Sequence, residues 1–384
     1  SRVISMLDKT ALEFYFNLGY IPFGYRLIGE RQKPYDYPYP SRVRNTYSPE
    51  SVGNLLFQAV NKKTKDLDQV VCTLSGGLDT STVVSLATLV NKNVKTVCLG
   101  FTGDDENNEF AEAKAFSSRF GTEHYEVEIS FEDFRKEYPR LSKALGRPAI
   151  NLYVYFVYEA AKRAFGTDVV LTGDYGDEVF GGYVNSSRFQ RAYAERSLFD
   201  SLPRINQAWG YCNTVGIPSM SRDYENLCSF REYMQNWIKV EWFTKLPYDY
   251  GEVIESMSKE AGVKIRMPIA DEGLINYMLP LDWRQKYDFV NGLGKLPLRE
   301  AMKDILPKET LLKKKHGFSL PVELWEKEIN SEAREIYSLM IRRGVLPSSL
   351  VEKIPAFPEL RLKLWALSEW LGAIGYKMNE AIPS

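Results

Sequence analysis

Apolar and polar positions change rhythm three times along this chain. Leu7, Leu12, Phe14 and Leu18 fall at helical spacing, so a short helix is expected near the start. Residues 33–49 break that rhythm. The run Lys33-Pro-Tyr-Asp-Tyr-Pro-Tyr-Pro40 carries prolines too closely spaced for a helix. It reads as a packed linker, with an aromatic ligand wall as the alternative. A helix then begins cleanly, because Ser48 suits an N-cap and Pro49 suits the first helical position. Val52, Leu55, Leu56, Ala59 and Val60 share one of its faces.

From there strands and helices alternate. Short β-branched or apolar runs at 70–74, 94–101, 124–129 and 168–171 read as strands, and 80–90, 108–120 and 151–165 as helices. Such alternation predicts an α/β fold whose parallel, doubly wound sheet is covered on both faces. Sheets of this kind bind ligands where loops leave the carboxyl ends of their strands. Beyond about residue 190 the pattern is mostly helical, through to 362–371. The expected layout is an extension over 1–49, an α/β core over 50–190 and a helical part over 191–384.

Composition narrows the function. Lys plus Arg total 49 and Asp plus Glu 50, for a net charge of −1 over 384 residues. That balance argues against a nucleic-acid or polybasic membrane surface. Cys72, Cys98, Cys212 and Cys228 lie far apart, without metal-binding spacing. They read as reduced thiols of a cytoplasmic protein. No apolar run reaches the roughly 18 residues of a membrane span.

The strongest chemical signal is Leu74-Ser75-Gly76-Gly77-Leu78-Asp79-Thr80-Ser81, between the first predicted strand and its helix. Two glycines let the backbone turn tightly and approach an anion, and the helix start aims N–H groups at it. No lysine follows the glycines, which separates the loop from the nucleoside-triphosphate loop ending in Gly-Lys-Ser/Thr. The carboxylate of Asp79 beside a polyphosphate implies a metal between them. A plain helix-capping turn is the alternative.

Ser75-Gly-Gly-Leu-Asp-Thr80 resembles the pyrophosphate loop of the N-type ATP pyrophosphatases. Leu171-Thr-Gly-Asp-Tyr-Gly-Asp-Glu-Val-Phe-Gly-Gly-Tyr183 is similar to the acidic, glycine-rich loop of the asparagine synthetase family. Arg266-Met-Pro-Ile-Ala-Asp271, Lys295-Leu-Pro-Leu-Arg-Glu300 and Lys315-His-Gly-Phe-Ser-Leu-Pro321 follow in that family's order. The resemblance covers nearly the whole chain as a synthetase domain of ATP-pyrophosphatase fold. It implies ATP and Mg²⁺ as cofactors, with adenosine near Leu74, Leu99, Thr172 and Gly173. Phosphates would rest on Ser75, Gly76, Gly77 and Thr80, and Asp79 and Asp177 would hold Mg²⁺. Lys315 matches the family lysine that stabilises charge during adenylation and amide formation; a solvated basic run, Lys313 to Lys315, is the alternative. Asp174 stands where these synthetases carry Glu, and its acid can take a proton from the amine or orient Lys315. His124 and His316 read as structural.

The implied activity is AMP-forming amide ligation, activating a small-molecule or peptide carboxylate for an amine. Asparagine formation from aspartate and ammonia competes with β-lactam or lasso-peptide cyclisation by the substrate's own amine. A non-catalytic nucleotide-binding partner protein is the reading of another class. No cysteine precedes Cys72, so glutamine is not expected to donate nitrogen to this chain alone, and a separate glutaminase subunit is the alternative supplier. One segment departs from the family: Val253-Ile-Glu-Ser-Met257 and Lys264 replace a charged run and a Glu. If those positions shape the acceptor pocket, the substrate differs from aspartate.

Overall fold

Val70-Val-Cys-Thr73 is a short β-branched run with nearly every side chain buried, and it becomes the central strand of the sheet. The computed structural model describes residues 7–182, 233–288, 290–314, 320–346 and 348–376. After helices α1 (Lys9–Leu18) and α2 (Pro49–Thr64) come β1 (Val70–Thr73), α3 (Leu78–Val90), β2 (Val94–Phe101), α4 (Phe110–Phe120) and β3 (Glu123–Ile129). Then follow α5 (Phe131–Leu145), α6 (Val154–Phe165), β4 (Val169–Leu171) and α7 (Gly176–Phe180). The five strands, closed by β5 (Lys264–Arg266), pair in parallel in the order β3-β2-β1-β4-β5. The chain winds outward from β1 to β3, then returns to place β4 on the other flank of β1, with Cys72 opposite Leu171. This reversal opens a crevice at the carboxyl ends of β1 and β4.

Alternate residues of each strand face opposite sides of the sheet, and two core clusters result. Val70, Cys72 and Leu171 join the cluster under α2 and α3, whereas Val71, Val97 and Val170 join the other. The second cluster mixes residues from the whole chain: Phe14 and Tyr15 of α1, Phe131 and Tyr138 of α5, and Trp365. Trp365 belongs to the closing helix Pro358–Ala373 and meets Phe131 and Tyr138 at ring separations of 5.1 and 4.9 Å.

Three features depart from the expected pattern. Helix α5 is additional; its start is marked by Ser130 and Asp133, which cap each other's backbone. Strand β5 is also additional, because its three residues carry no apolar run and become a strand only by pairing with β4. Double cover of the sheet lapses at its edge, where most of β3 is exposed. The Tyr/Pro-rich segment is mostly exposed where the sequence predicts a packed one: Tyr35 and Tyr37 are stacked, both partly open to solvent, and the Tyr35 N–H donates to the Tyr248 hydroxyl at 3.1 Å.

Candidate active site

The loop after β1 folds as its glycines require. Gly76 adopts φ +71°, a region costly for other residues, and a Cβ there would lie 2.8 Å from Glu112 Cβ. Gly77 is the extended N-cap of α3 and provides no side-chain cap, so the first turn of the helix points its N–H groups into the loop. Ser75 and Thr80 fasten the turn. The Ser75 N–H donates to Thr80 Oγ1 at 3.2 Å, and the Gly77 N–H to Ser75 Oγ at 3.3 Å. Helix α3 begins at Leu78, so Asp79 belongs to its first turn and not to a free loop; Asp177 likewise sits in the first turn of α7. A carboxylate is favoured at both places by the helix dipole.

The loop after β4 closes onto this turn. A Cβ on Gly173 would lie 2.7 Å from the Thr80 nitrogen, and one on Gly176 would lie 2.3 Å from Asp79 Oδ1. Tyr175, between them, is held at φ +74°, an unfavourable conformation of the kind that collects at functional sites. Ser75, Gly76, Gly77, Asp79, Thr80, Thr172, Gly173, Asp174 and Asp177 therefore meet at the crevice between β1 and β4. Leu74 and Leu99 are both buried, in separate core clusters.

Asp79 and Asp177 converge on one cation. The Lys295 ammonium bonds Asp79 Oδ2 and lies 2.8 Å from Asp177 Oδ1. Asp79 Oδ1 is buried without a hydrogen-bond partner, as a carboxylate oxygen reserved for a further ligand would be. Among the described residues no three His, Cys, Asp or Glu converge as a metal cage. Two carboxylates beside a phosphate loop fit Mg²⁺, which takes one or two carboxylates and completes its shell with phosphate and water. Lys295 carries no site signal in the sequence beyond its place in the Lys295–Glu300 motif, since nothing in a lysine's neighbours announces that it will be buried between two acids.

Asp174 accepts from Thr172 Oγ1 at 2.6 Å. Burial raises its carboxyl above the usual range, the charge of Asp79 adds to that, and the Thr172 bond opposes it. Lys315, with His316, Gly317 and Phe318, lies outside the described residues. The segment leading to it is fixed beside the phosphate loop: Lys313 Nζ bonds Glu109 Oε1 at 2.9 Å, one turn from the Glu112 that packs on Gly76. Buried Arg299 holds the same segment by donating to the carbonyls of Leu311 and, at 3.1 Å, Lys313. Tyr153 is core, edge-on to Phe101 at 5.6 Å, and Tyr155 lies under Arg140. His124 is tied to Thr96 on β2 at 2.8 Å, and burial lowers its pKa.

A profile of the family described as asparagine synthase matches residues 51–371. The chain belongs to the asparagine synthase family. Among curated relatives, asparagine synthetase [glutamine-hydrolyzing] 1 of Bacillus subtilis is 25% identical over 75% of this chain and 52% of its own length. Asparagine synthetase [glutamine-hydrolyzing] 3 of the same organism is 26% identical over 86% of this chain and 61% of its own. This family member thus spans about half to three fifths of those relatives. Of its departures from the family pattern, Asp174 lies in the crevice, whereas two residues of the Val253–Lys264 stretch do not. Lys264 is exposed at the amino end of β5, opposite the ligand loops, and Glu255 is an exposed partner of Lys259.

Proposed function

We propose that this family member is an AMP-forming carbon–nitrogen ligase that adenylates a carboxylate with ATP and passes it to an amine. The observation that carries this reading is the meeting of Asp79 and Asp177 beside the Ser75–Thr80 turn. The turn's N–H groups and hydroxyls would cradle the phosphates, and the two carboxylates would hold Mg²⁺. When bound, the metal neutralises phosphate charge and makes pyrophosphate a better leaving group. Lys295 and Lys315 supply compact cations for charge that builds on the phosphates. Asp174, whose carboxyl burial raises above the usual range, would as a carboxylate take a proton from the incoming amine.

Aspartate and ammonia are the substrates this reading favours. One ground for a cyclase acting on the substrate's own amine is the altered Val253–Lys264 stretch, within which Lys264 and Glu255 stand outside the crevice; another is Asp174, which replaces the family's Glu and lies inside it. The Mn²⁺- and Mg²⁺-dependent release of pyrophosphate from ATP tests the proposal, with aspartate, other amino acids and short peptides, with and without ammonia. Equal yields of AMP, pyrophosphate and asparagine are expected with aspartate and ammonia. ATP binding without AMP under every condition would leave a nucleotide-binding protein instead. AMP formed with a peptide and no added amine would return the cyclase.

A further inference from the structure

The ammonium of Lys295 occupies the position between two carboxylates that a divalent cation would need. We propose that Lys295 is a built-in competitor for the metal, which keeps Asp79 and Asp177 closed to divalent cations until the phosphates of a nucleotide draw the ammonium away. The inference rests on the reading of those two carboxylates as metal ligands.

The placement is constructed by the backbone around it. Lys295 is buried, with 4% of its surface exposed, and it takes φ +61°, unfavourable for any residue with a Cβ. Three glycines make the approach possible. A Cβ on Gly294 would stand 2.7 Å from the Gly181 carbonyl oxygen. A Cβ on Gly182 would lie within 2.4 Å of Lys295 Cε and overlap Asp177 Oδ1. Gly181 itself, at φ +80°, lies against Lys286, whose carbonyl accepts from the Leu296 N–H at 3.1 Å. Strain and close contact are thus concentrated on bringing one cation to two acids.

Elementary electrostatics gives the consequence. With one ammonium between them, the two carboxylates retain a single net negative charge, and Asp79 Oδ2 and Asp177 Oδ1 both face Lys295. Mg²⁺ gives up water reluctantly and binds well only when several hard oxygens are offered together. A bound triphosphate changes both terms, because it adds oxygens for the metal and an anionic partner for Lys295. Metal and nucleotide must then favour each other's binding to the same extent, as linkage requires.

Manganese binding to the nucleotide-free protein, followed by electron paramagnetic resonance, tests this directly. Lys295→Met removes the charge and keeps most of the volume. The expected result is Mn²⁺ affinity at least about 10-fold tighter in Lys295→Met than in the parent, with Lys295→Arg resembling the parent. ATP should tighten Mn²⁺ binding strongly in the parent and much less in Lys295→Met. Mn²⁺ should also raise the melting temperature of Lys295→Met more than that of the parent. This second readout holds even if two unpaired acids weaken the variant. Adding Asp177→Asn to Lys295→Met should abolish the gain. Unchanged or weaker Mn²⁺ binding and no larger thermal shift in Lys295→Met would overturn the inference while leaving the metal ligands standing. Mn²⁺ binding with ATP that ignores both Asp79→Asn and Asp177→Asn would overturn the ligand reading itself.

Discussion

Single side chains decide whether charge is tolerated in this crevice. Asp79→Asn and Asp177→Asn each remove one formal charge from the proposed metal shell while keeping shape. Each is expected to lower AMP formation by roughly 10²–10³-fold or more, the scale seen when one charge-stabilising group is lost. Pyrophosphate release at saturating Mg²⁺ measures it, and near-normal turnover in either variant would discard the assignment. Lys315→Met is expected to act differently. Its cation is needed most as charge develops, so kcat should fall while ATP affinity stays near that of the parent. Loss of ATP affinity with kcat unchanged would make Lys315 a binding group only. At this scale the sequence was informative about chemistry and silent about burial. Ser75, Gly76, Gly77, Asp79 and Asp177 were legible because their spacing after strands follows from what a phosphate loop requires. Lys295 was not, because its role depends on a position in space beside residues more than a hundred positions earlier.

Among elements, the decisive contact is that of α7 with the first turn of α3. Gly176 opens α7, and a methyl group there would press on the Asp79 carboxylate. Gly176→Ala is therefore expected to destabilise the protein by roughly 1–3 kcal/mol, as overpacking usually does, and to reduce AMP formation more than 10-fold by displacing Asp79. Gly372→Ala is the matched control. Gly372 lies in the closing helix with nothing within 4 Å of the added Cβ, so the change should stabilise by about 0.4–1 kcal/mol. Urea midpoints of the two variants give the comparison. Helix starts at Ser48 and Ser130 show how far local chemistry reaches: Ser48 announced α2 through its cap and proline, whereas the cap pair at Ser130 and Asp133 was equally present and went unread. Strand β5 had no local signal of its own, since three half-exposed residues form a strand only when β4 offers them partners.

The whole molecule adds one buried charge that the site does not use directly. Lys286 is fully buried, its Nζ donates to the Val179 carbonyl at 3.0 Å, and burial lowers its pKa from 10.5 to about 7. An unfolded chain binds that proton up to about pH 10.5 and the folded one only below about 7, so stability rises with pH across that window. Lys286→Met should flatten the rise between pH 7.5 and 9.5, measured by urea unfolding of both proteins. That range stops short of the window where the buried tyrosines Tyr15 and Tyr138, with pKa values raised by burial, would reverse the slope. An unchanged slope would mean that Lys286 keeps its proton in the fold. Among the described residues no helix is long and apolar enough to cross a membrane.

What the sequence determined by itself is local: the strand–helix alternation, the caps, the glycine turn after β1 and the acidic loop after β4. Each of these depends on residues within a few positions, where backbone sterics and hydrogen bonding act without reference to the rest of the chain. Tertiary structure alone decided which loops became neighbours. The reversal of strand order set β4 beside β1 and so brought Asp177 to Asp79. Packing then placed Lys295 between them and tied Lys313, in the segment before Lys315, to Glu109 beside the phosphate loop. Those are contacts between residues about 100 to 220 positions apart. No local preference encodes them, because only the burial of two apolar faces of one sheet fixes where distant charges must meet.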